Sequence, residues 1–307
     1  MKGEFPMRIA IAGGTGFVGS ALVKKLLDKK HELFILTRNT ANKNSSKNLN
    51  YVQWLNDDDS PEDALESIDV FINLSGESIN SGRWTDERKK RILNSRITAT
   101  REVLRIISRL EEKPYTLINA SAVGYYGTSL NETFTEFNRK SGTDFLAETV
   151  RRWEEEASKA EEFEVRTVFC RFGIILEKND GALPRIALPY KLFAGGPVGT
   201  GDQWVSWIHL DDVVNGILYC IEHEQLQGPV NFTSPNPLTM KEFGKILGDA
   251  LNRPHWLPAP GFALKIALGE MSTLVLEGQK VLPEKLQASG YKFLYKDLRS
   301  ALRNIYQ

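Results

Sequence analysis

The sequence predicts an α/β protein: a doubly wound parallel sheet with helices on both faces up to about residue 170, and a smaller mixed lobe made mostly from the C-terminal part. Three observations carry that prediction. Short apolar runs of strand length recur through the first half of the chain and alternate with helical stretches. The first run, Arg8-Ile9-Ala10-Ile11-Ala12, meets glycines at Gly13, Gly16 and Gly19, and a helix-like segment follows from about Phe17 to Asp28. After Gly181 the pattern turns mixed.

Strand, tight turn and helix in that order are the context in which a glycine-rich turn binds a dinucleotide. Gly13 permits the sharp turn out of the strand, and Gly16 lets backbone N–H groups approach a pyrophosphate with no Cβ in the way. Gly19 lets the new helix pack tightly on the sheet. The helix N-terminus then offers unpaired N–H donors and a positive dipole end to the phosphates. The sheet is therefore expected to be of Rossmann type. The spacing Gly13-Gly14-Thr15-Gly16-Phe17-Val18-Gly19 is G-x-x-G-x-x-G, and it resembles the extended, epimerase-like branch of the short-chain dehydrogenase/reductase superfamily.

Bulk properties narrow the partners. The 39 basic and 39 acidic residues balance, so nothing points to a nucleic acid or a membrane surface. No apolar run approaches membrane-spanning length. Cys170 and Cys220, both in apolar surroundings, argue for a reducing cytoplasm rather than a disulfide framework. Met1 to Pro6 are too short and polar for a signal peptide, and Met7 is the candidate natural start.

The second strand is expected at Glu32–Leu36, ending in Thr37-Arg38-Asn39. A carboxylate at this strand's end would hold the ribose 2′-hydroxyl of NAD and repel a 2′-phosphate. Arg38 stands there instead, and a guanidinium grips phosphate in a bidentate fork, so NADP is expected over NAD. A third strand is expected at Tyr51–Trp54. The acidic Asp57-Asp58-Asp59-Ser60-Pro61 stretch reads as a loop and helix start rather than a metal site. The fourth strand, Asp69–Leu74, runs into Ser75-Gly76-Glu77. Ligands lie beyond the carboxyl ends of such strands, so Leu74, Ser75, Gly76 and Glu77 are expected to line the cofactor, Gly76 giving room. Glu77 is a candidate for a ribose hydroxyl or for work on substrate. Arg83-Trp84 then opens a long basic helix, roughly Asp86 to Arg109, whose charges read as a solvated face because no aromatic platform accompanies them.

The fifth strand, Tyr115–Ala120, leads to Ser121, which resemblance to extended dehydrogenases makes the candidate for hydrogen-bonding the reacting oxygen. Those enzymes then carry Tyr-x-x-x-Lys on a helix. The tyrosine moves the substrate proton, and the lysine lowers its pKa and holds the ribose. The helix is present from Gly142 to Glu154, but Phe145 stands for the tyrosine and Thr149 for the lysine. Phenylalanine has no proton to give and threonine no charge. This departure, with Ala120 to Gly127, Trp153-Glu154, Gly195 to Gly201, Trp207 to Asp212 and Leu276 to Pro283, resembles an atypical branch over essentially the whole chain. That branch is the NAD-dependent-epimerase-like family of the SDR39U1 type, with its C-terminal domain of unknown function.

The resemblance implies an NADP-binding epimerase domain over residues 7–225, with its sheet core at 7–171, and a family-specific C-terminal domain over 253–301. It implies oxidoreductase or epimerase chemistry on a small polar or nucleotide-sugar-like substrate, and homodimerisation by analogy. The alternative is a non-catalytic NADP-binding redox sensor or scaffold, related to cell division. Tyr125 or Tyr126 with Ser121 is expected to replace the missing acid, with Glu77 the alternative base. The cofactor set is Gly13, Thr15, Gly16, Phe17, Val18, Gly19, Arg38, Leu74, Ser75, Gly76, Glu77, Arg83 and Arg171, the last from the sixth strand, Val165–Arg171. The glycines at 195, 196, 199 and 201 read as a substrate-side loop or a plain irregular turn, and His209 as a packed histidine. Thr239 is expected to cap a helix to about Leu251, and the apolar tail to pack on the substrate lobe or a second subunit.

Overall fold

Alternate residues of the first strand, β1 (Arg8–Ala12), face opposite ways, and the sequence places different sizes on the two faces. Ile9 and Ile11 enter one buried cluster, Ala10 and Ala12 another. A strand buried on both faces belongs in the middle of a parallel sheet covered by helices. The computed structural model, which describes residues 6–307, shows this arrangement. Residues 1–5, most of the short stretch ahead of Met7, lie outside the described residues.

The remaining strands of the central sheet are β2 (Glu32–Thr37), β3 (Leu49–Gln53), β4 (Val70–Asn73), β5 (Thr116–Ala122), β6 (Arg166–Phe172) and β7 (Gly228–Phe232). All pair in parallel, in the order β7-β6-β5-β4-β1-β2-β3. The chain runs outward from β1 to β3 on one side and restarts at β4 on the other, so a crevice opens at the carboxyl ends of β1 and β4. The sheet does not stop near residue 171, as the sequence suggested. Its seventh strand, β7, pairs in parallel with β6 after a long connection that carries two helices. The sequence does give a strand at Val230–Phe232, but not its place in this sheet; it is the edge strand, opened by Gly228 and Pro229, and an edge tolerates proline.

Helices α1 (Phe17–Asp28), α2 (Asp86–Arg109), α3 (Phe145–Ala157), α4 (Leu183–Lys191) and α5 (Leu210–Glu222) follow in chain order. Leu22 and Leu26 of α1 and Val213 and Ile217 of α5 cover the isoleucine face of β1. Ala99, Val103, Ile106 and Ile107 of α2 cover the alanine face, and α3 packs beside α2. The thiols of Cys170 and Cys220 are buried in the first cluster, where burial pushes Cys170 well above its ordinary value and Cys220 up to about 12.

The C-terminal part adds α6 (Met240–Leu251), α7 (Gly261–Leu268), α8 (Thr273–Leu276), α9 (Glu284–Ala288) and α10 (Leu298–Tyr306). Thr239 caps α6 in a capping box with Glu242. Side chains of α4, α6 and α10 close a separate core around Trp207, Phe243, Leu247 and Leu302. Residues Lys280–Val281 pair in parallel with Thr133–Phe134, which ties this part to the segment after β5. The glycine cluster serves packing: a Cβ on Gly195 would stand 2.3 Å from the Tyr190 ring, and one on Gly196 2.0 Å from the Leu257 carbonyl oxygen. Among the described residues no helix is long and apolar enough to cross a membrane.

Candidate functional site

The turn between β1 and α1 has a geometry that only its glycines allow. Gly13 has φ +80°, and a Cβ there would stand 2.8 Å from the Leu74 carbonyl. Gly16 is the N-cap of α1, and its N–H donates to the Gly13 carbonyl at 3.0 Å. Among the described residues no side chain caps this helix and no acid stands in its first turn, so the terminus is free to meet an anion. Gly19 serves a closer contact than the one expected. A Cβ there would lie 2.1 Å from the Gly13 carbonyl oxygen, so its absence lets the helix close on the glycine turn itself.

Two cavities meet over this turn. One, of about 630 Å³, runs from the start of α1 past Ser121, Thr149 and Trp153 to Phe172, and ends against Trp204, Glu277 and Gln279. The other, of about 890 Å³, is bounded by Thr15, Arg38, Trp54, Glu77 and Arg91. Both touch Gly13, Gly16, Leu74, Ser75 and Gly76, so they form one groove across the crevice between β1 and β4. Phe17, Val18 and Gly19 line its first part. The C-terminal part closes the end of the smaller cavity away from α1, where Thr128 donates to Glu277 at 3.0 Å.

Ser121 lies within β5 rather than after it, 3% exposed, and its hydroxyl donates to Glu154 Oε1 at 2.6 Å. Glu154 is gripped in turn by Arg171, Nε to Oε1 at 2.8 Å and Nη2 to Oε2 at 2.7 Å. Burial works against the Arg171 charge, but the Glu154 carboxylate outweighs it and holds the guanidinium above its ordinary value. Arg171 Nη1 donates to the Tyr126 hydroxyl at 3.0 Å, and that hydroxyl donates to Asn231 Oδ1 at 2.8 Å. The chain of contacts ends at Glu136, which accepts the Asn231 N–H at 2.9 Å.

This network corrects several expectations. Arg171 does not reach the cofactor groove; it is spent on Glu154 inside the core. Tyr126 is 4% exposed, with burial pushing its hydroxyl up to about 12, and it does not line the groove. The Tyr125 hydroxyl donates to the Arg139 carbonyl at 2.7 Å, and its ring lies against the Arg171 guanidinium. Neither tyrosine is placed to give a proton in the cleft. Arg83 also misses the groove and donates to the Ile266 and Ala267 carbonyls at the end of α7. Glu77 lines the larger cavity, but its carboxylate is paired with Arg88 and stands 3.8 Å from Arg91. His209 caps α5, accepting the Asp211 N–H at 3.0 Å. Among the described residues no cluster of His, Cys, Asp or Glu is arranged to hold a metal, and Asp59 is engaged by Asn56 and Gln53.

Sequence reasoning missed Glu154 and Arg96. Helix periodicity holds a signal for the second: Arg96 stands four residues from both Ile92 and Thr100, on the stripe of α2 that the structure buries. A charge on that stripe is either paired inside or faces a cavity, and Arg96 lines the smaller cavity.

A Rossmann-type sheet, a glycine turn at its switch point and a groove with room for both halves of the ligand define a nicotinamide-dinucleotide-binding protein. Comparison with known proteins takes this further. Residues 9–154 match the NAD dependent epimerase/dehydratase family and residues 259–305 a domain of unknown function, DUF1731. The epimerase family protein YfhF of Bacillus subtilis (strain 168) is 52% identical over 299 residues, 97% of this chain and 98% of that protein. The crystal structure of human epimerase family protein SDR39U1 with NADPH is similar with a TM-score of 0.85 at 29% identity, covering 98% of this chain and 99% of that one. A nucleoside-diphosphate sugar epimerase from Corynebacterium glutamicum gives a TM-score of 0.79 at 31% identity, over 99% of this chain and 59% of that one. The chain belongs to the epimerase family proteins.

Proposed function

We propose that this protein binds NADP(H) and carries out reductase or epimerase chemistry on a small polar, nucleotide-sugar-like substrate without a Tyr-x-x-x-Lys pair. The observation that carries the cofactor choice is Arg38. It is exposed just past β2, lines the larger cavity, and among the described residues no acceptor meets its guanidinium. A free guanidinium there takes the 2′-phosphate in a fork, where a carboxylate would repel it. Arg91 adds positive charge to the same cavity. The NADPH in the human SDR39U1 structure supports the same choice. The uncapped N-terminus of α1 suits the pyrophosphate.

The nicotinamide, when bound, supplies the hydride donor or acceptor. Ser121 is the chain's own polar group at the expected place of the reacting oxygen, and Glu154 fixes its orientation. Glu277 and Gln279 give the far end of the cleft hydrogen-bonding groups suited to a hydroxyl-rich ligand. The direct test is thermal stabilisation by NADPH and NADH in the wild type and Arg38→Asp, because a ligand that binds only the folded state raises its stability with saturation. A large NADPH shift that Arg38→Asp abolishes supports the reading. No shift with either nucleotide sinks it.

A second reading, an NADP(H)-binding sensor or scaffold without turnover, is favoured by Phe145 and Thr149 and by the engagement of both tyrosine hydroxyls outside the cleft. Oxidation of bound NADPH by any member of a panel of carbonyl and nucleotide-sugar compounds decides for the enzyme.

A further inference from the structure

Helix α7 runs counter to the pattern of the other helices. Its sequence, Gly-Phe-Ala-Leu-Lys-Ile-Ala-Leu, is apolar round the whole circumference except at Lys265. A helix of that kind belongs inside a protein. Yet none of its residues is buried, and Phe262 and Ile266, one turn apart, are 71% and 74% exposed. The helix is nonetheless fixed in place. Arg83 holds the carbonyls of Ile266 and Ala267 at its end, and Glu270 just beyond is paired with Lys89.

The apolar surface continues beyond α7. The chain that leads into it lies along the chain that leaves α4. Trp256 Nε1 donates to the Phe193 carbonyl at 3.0 Å, the Leu257 N–H to the Gly195 carbonyl at 3.1 Å, and the Ala259 N–H to the Pro197 carbonyl at 2.8 Å. Exposed Trp256 and Leu257 thus stand beside exposed Phe193, with Leu188 and Leu192 at the end of α4 behind it. Of the ten large apolar side chains exposed among the described residues, seven lie on α7 and these two stretches. Charge is separated in the same place. The whole chain balances at 39 basic and 39 acidic residues, but residues 181–201 carry Arg185 and Lys191 and no acid, and residues 250–269 carry Arg253 and Lys265 and no acid. The acids that flank the second stretch, Asp249 and Glu270, are paired with Arg299 and Lys89. Arg185 and Arg253 meet the Asn80 and Asn252 carbonyls, which leave their charge uncancelled.

We propose that this face docks on an anionic lipid bilayer, with Trp256, Phe262 and Ile266 entering the headgroup layer and Lys191, Arg253 and Lys265 meeting lipid phosphates. A bilayer of that kind is anionic at its surface and apolar beneath, the complement of a face that is apolar and purely cationic. A second copy fits poorly, because a symmetric pair would set the same cations against themselves with no acid between them. Helix α7, eight residues, is about 12 Å long against a hydrocarbon core of about 30 Å, so it lies in the interface and does not cross. The inference stands apart from the dinucleotide reading above.

Flotation with vesicles of phosphatidylglycerol and phosphatidylcholine in equal amounts, against phosphatidylcholine alone, tests the proposal. Wild type is expected to float with the first and not with the second, and to be released as salt rises, because the cations act over a Debye length. Phe262→Ser with Ile266→Ser is expected to lower the partition coefficient about tenfold or more, as two large apolar side chains lose their burial in lipid. Lys191→Glu with Lys265→Glu is expected to lower it roughly tenfold on the same vesicles. All four side chains are exposed, so the melting temperature should stay at the wild-type value. The two pairs act through different forces, so either one tests the face if the other does not fold. Wild type that does not float with the anionic vesicles, or flotation that neither pair weakens, overturns the proposal. Self-association in the ultracentrifuge that Phe262→Ser with Ile266→Ser abolishes would give the face to a second copy and overturn it too. Binding to soluble polyglutamate that survives the same pair would give it to an acidic protein, with the same consequence.

Discussion

The Ser121 hydroxyl donates to Glu154 Oε1 at 2.6 Å, and this bond fixes what Ser121 can offer to the cleft. An ionised carboxylate only accepts, so the serine proton is committed to Glu154 and its lone pairs are what remain. Ser121 is therefore set to accept a hydrogen bond from a substrate hydroxyl rather than to donate one to a carbonyl. Ser121→Ala should lower turnover while leaving the NADPH dissociation constant within about twofold, because the phosphate and adenosine contacts are made elsewhere. It should cost about 1.5–3 kcal/mol of stability, the scale of a hydrogen bond to a charged group. Steady-state kinetics beside a binding titration checks both parts.

The Glu154–Arg171 pair is the next contact inward, with the two side chains 9% and 3% exposed. Breaking such a pair leaves a buried charge uncompensated, so Glu154→Leu or Arg171→Met alone should each cost about 3–5 kcal/mol. The double variant should cost clearly less than the sum of the two, because neither charge then remains buried alone. Urea unfolding of the four proteins gives the cycle, and strict additivity would sink this account of the core.

These two contacts also show where sequence reading reaches its end. The glycine turn, the strands up to β6 and the place of Arg38 at the end of β2 are written in neighbouring residues and in local periodicity, so they could be read directly. Arg171 could not. Its partner Glu154 is 17 residues away on α3, and nothing local says that the two meet. Tyr125 and Tyr126 follow β5 as expected, but the turn of the chain there aims one hydroxyl at Arg139 and the other at Asn231. Arg83 failed for the same reason, since its acceptors lie on α7, 183 and 184 residues further on.

The three glycines of the turn should differ in tolerance. Gly19→Ala drives a methyl to 2.1 Å from a backbone oxygen that cannot yield without opening the turn. Gly13→Ala combines φ +80° with 2.8 Å contacts to the Leu74 backbone. Gly16→Ala meets only the Gly13 carbonyl oxygen, at 3.3 Å. Thermal melts with and without NADPH should rank them so: Gly19→Ala and Gly13→Ala lose stability and nucleotide response together, by about 2 kcal/mol or more of stability. Gly16→Ala keeps the fold, and its loss should appear mainly in the nucleotide shift, as the methyl stands where the phosphates approach.

Stability should fall as the pH drops below about 6.5, and two histidines identify the cause. His31 accepts the Met7 N–H at Nδ1 at 3.0 Å, and His209 accepts the Asp211 N–H at Nδ1 at 3.0 Å. Both nitrogens must be unprotonated to accept. Desolvation lowers both rings, helped by Lys29 at His31, and outweighs the opposing pull of Glu222 and Asp69 on His31 and of Asp211 and Glu177 on His209. A group whose folded value is depressed contributes stability that is present above the unfolded value and lost as the pH falls through the folded one. Glu136 and Asp212 act with the opposite sign. Burial raises both, so their contribution is present below the ordinary carboxylate range and lost as the pH rises through the raised values. Asparagine separates the two effects, because its amide oxygen accepts a backbone N–H as a neutral histidine nitrogen does but does not titrate. His209→Asn and His31→Asn should each flatten the decline in melting temperature between pH 7.5 and about 5.5, leaving the carboxylate effect in place. A decline as steep in the double variant as in the wild type would remove the histidines as its cause.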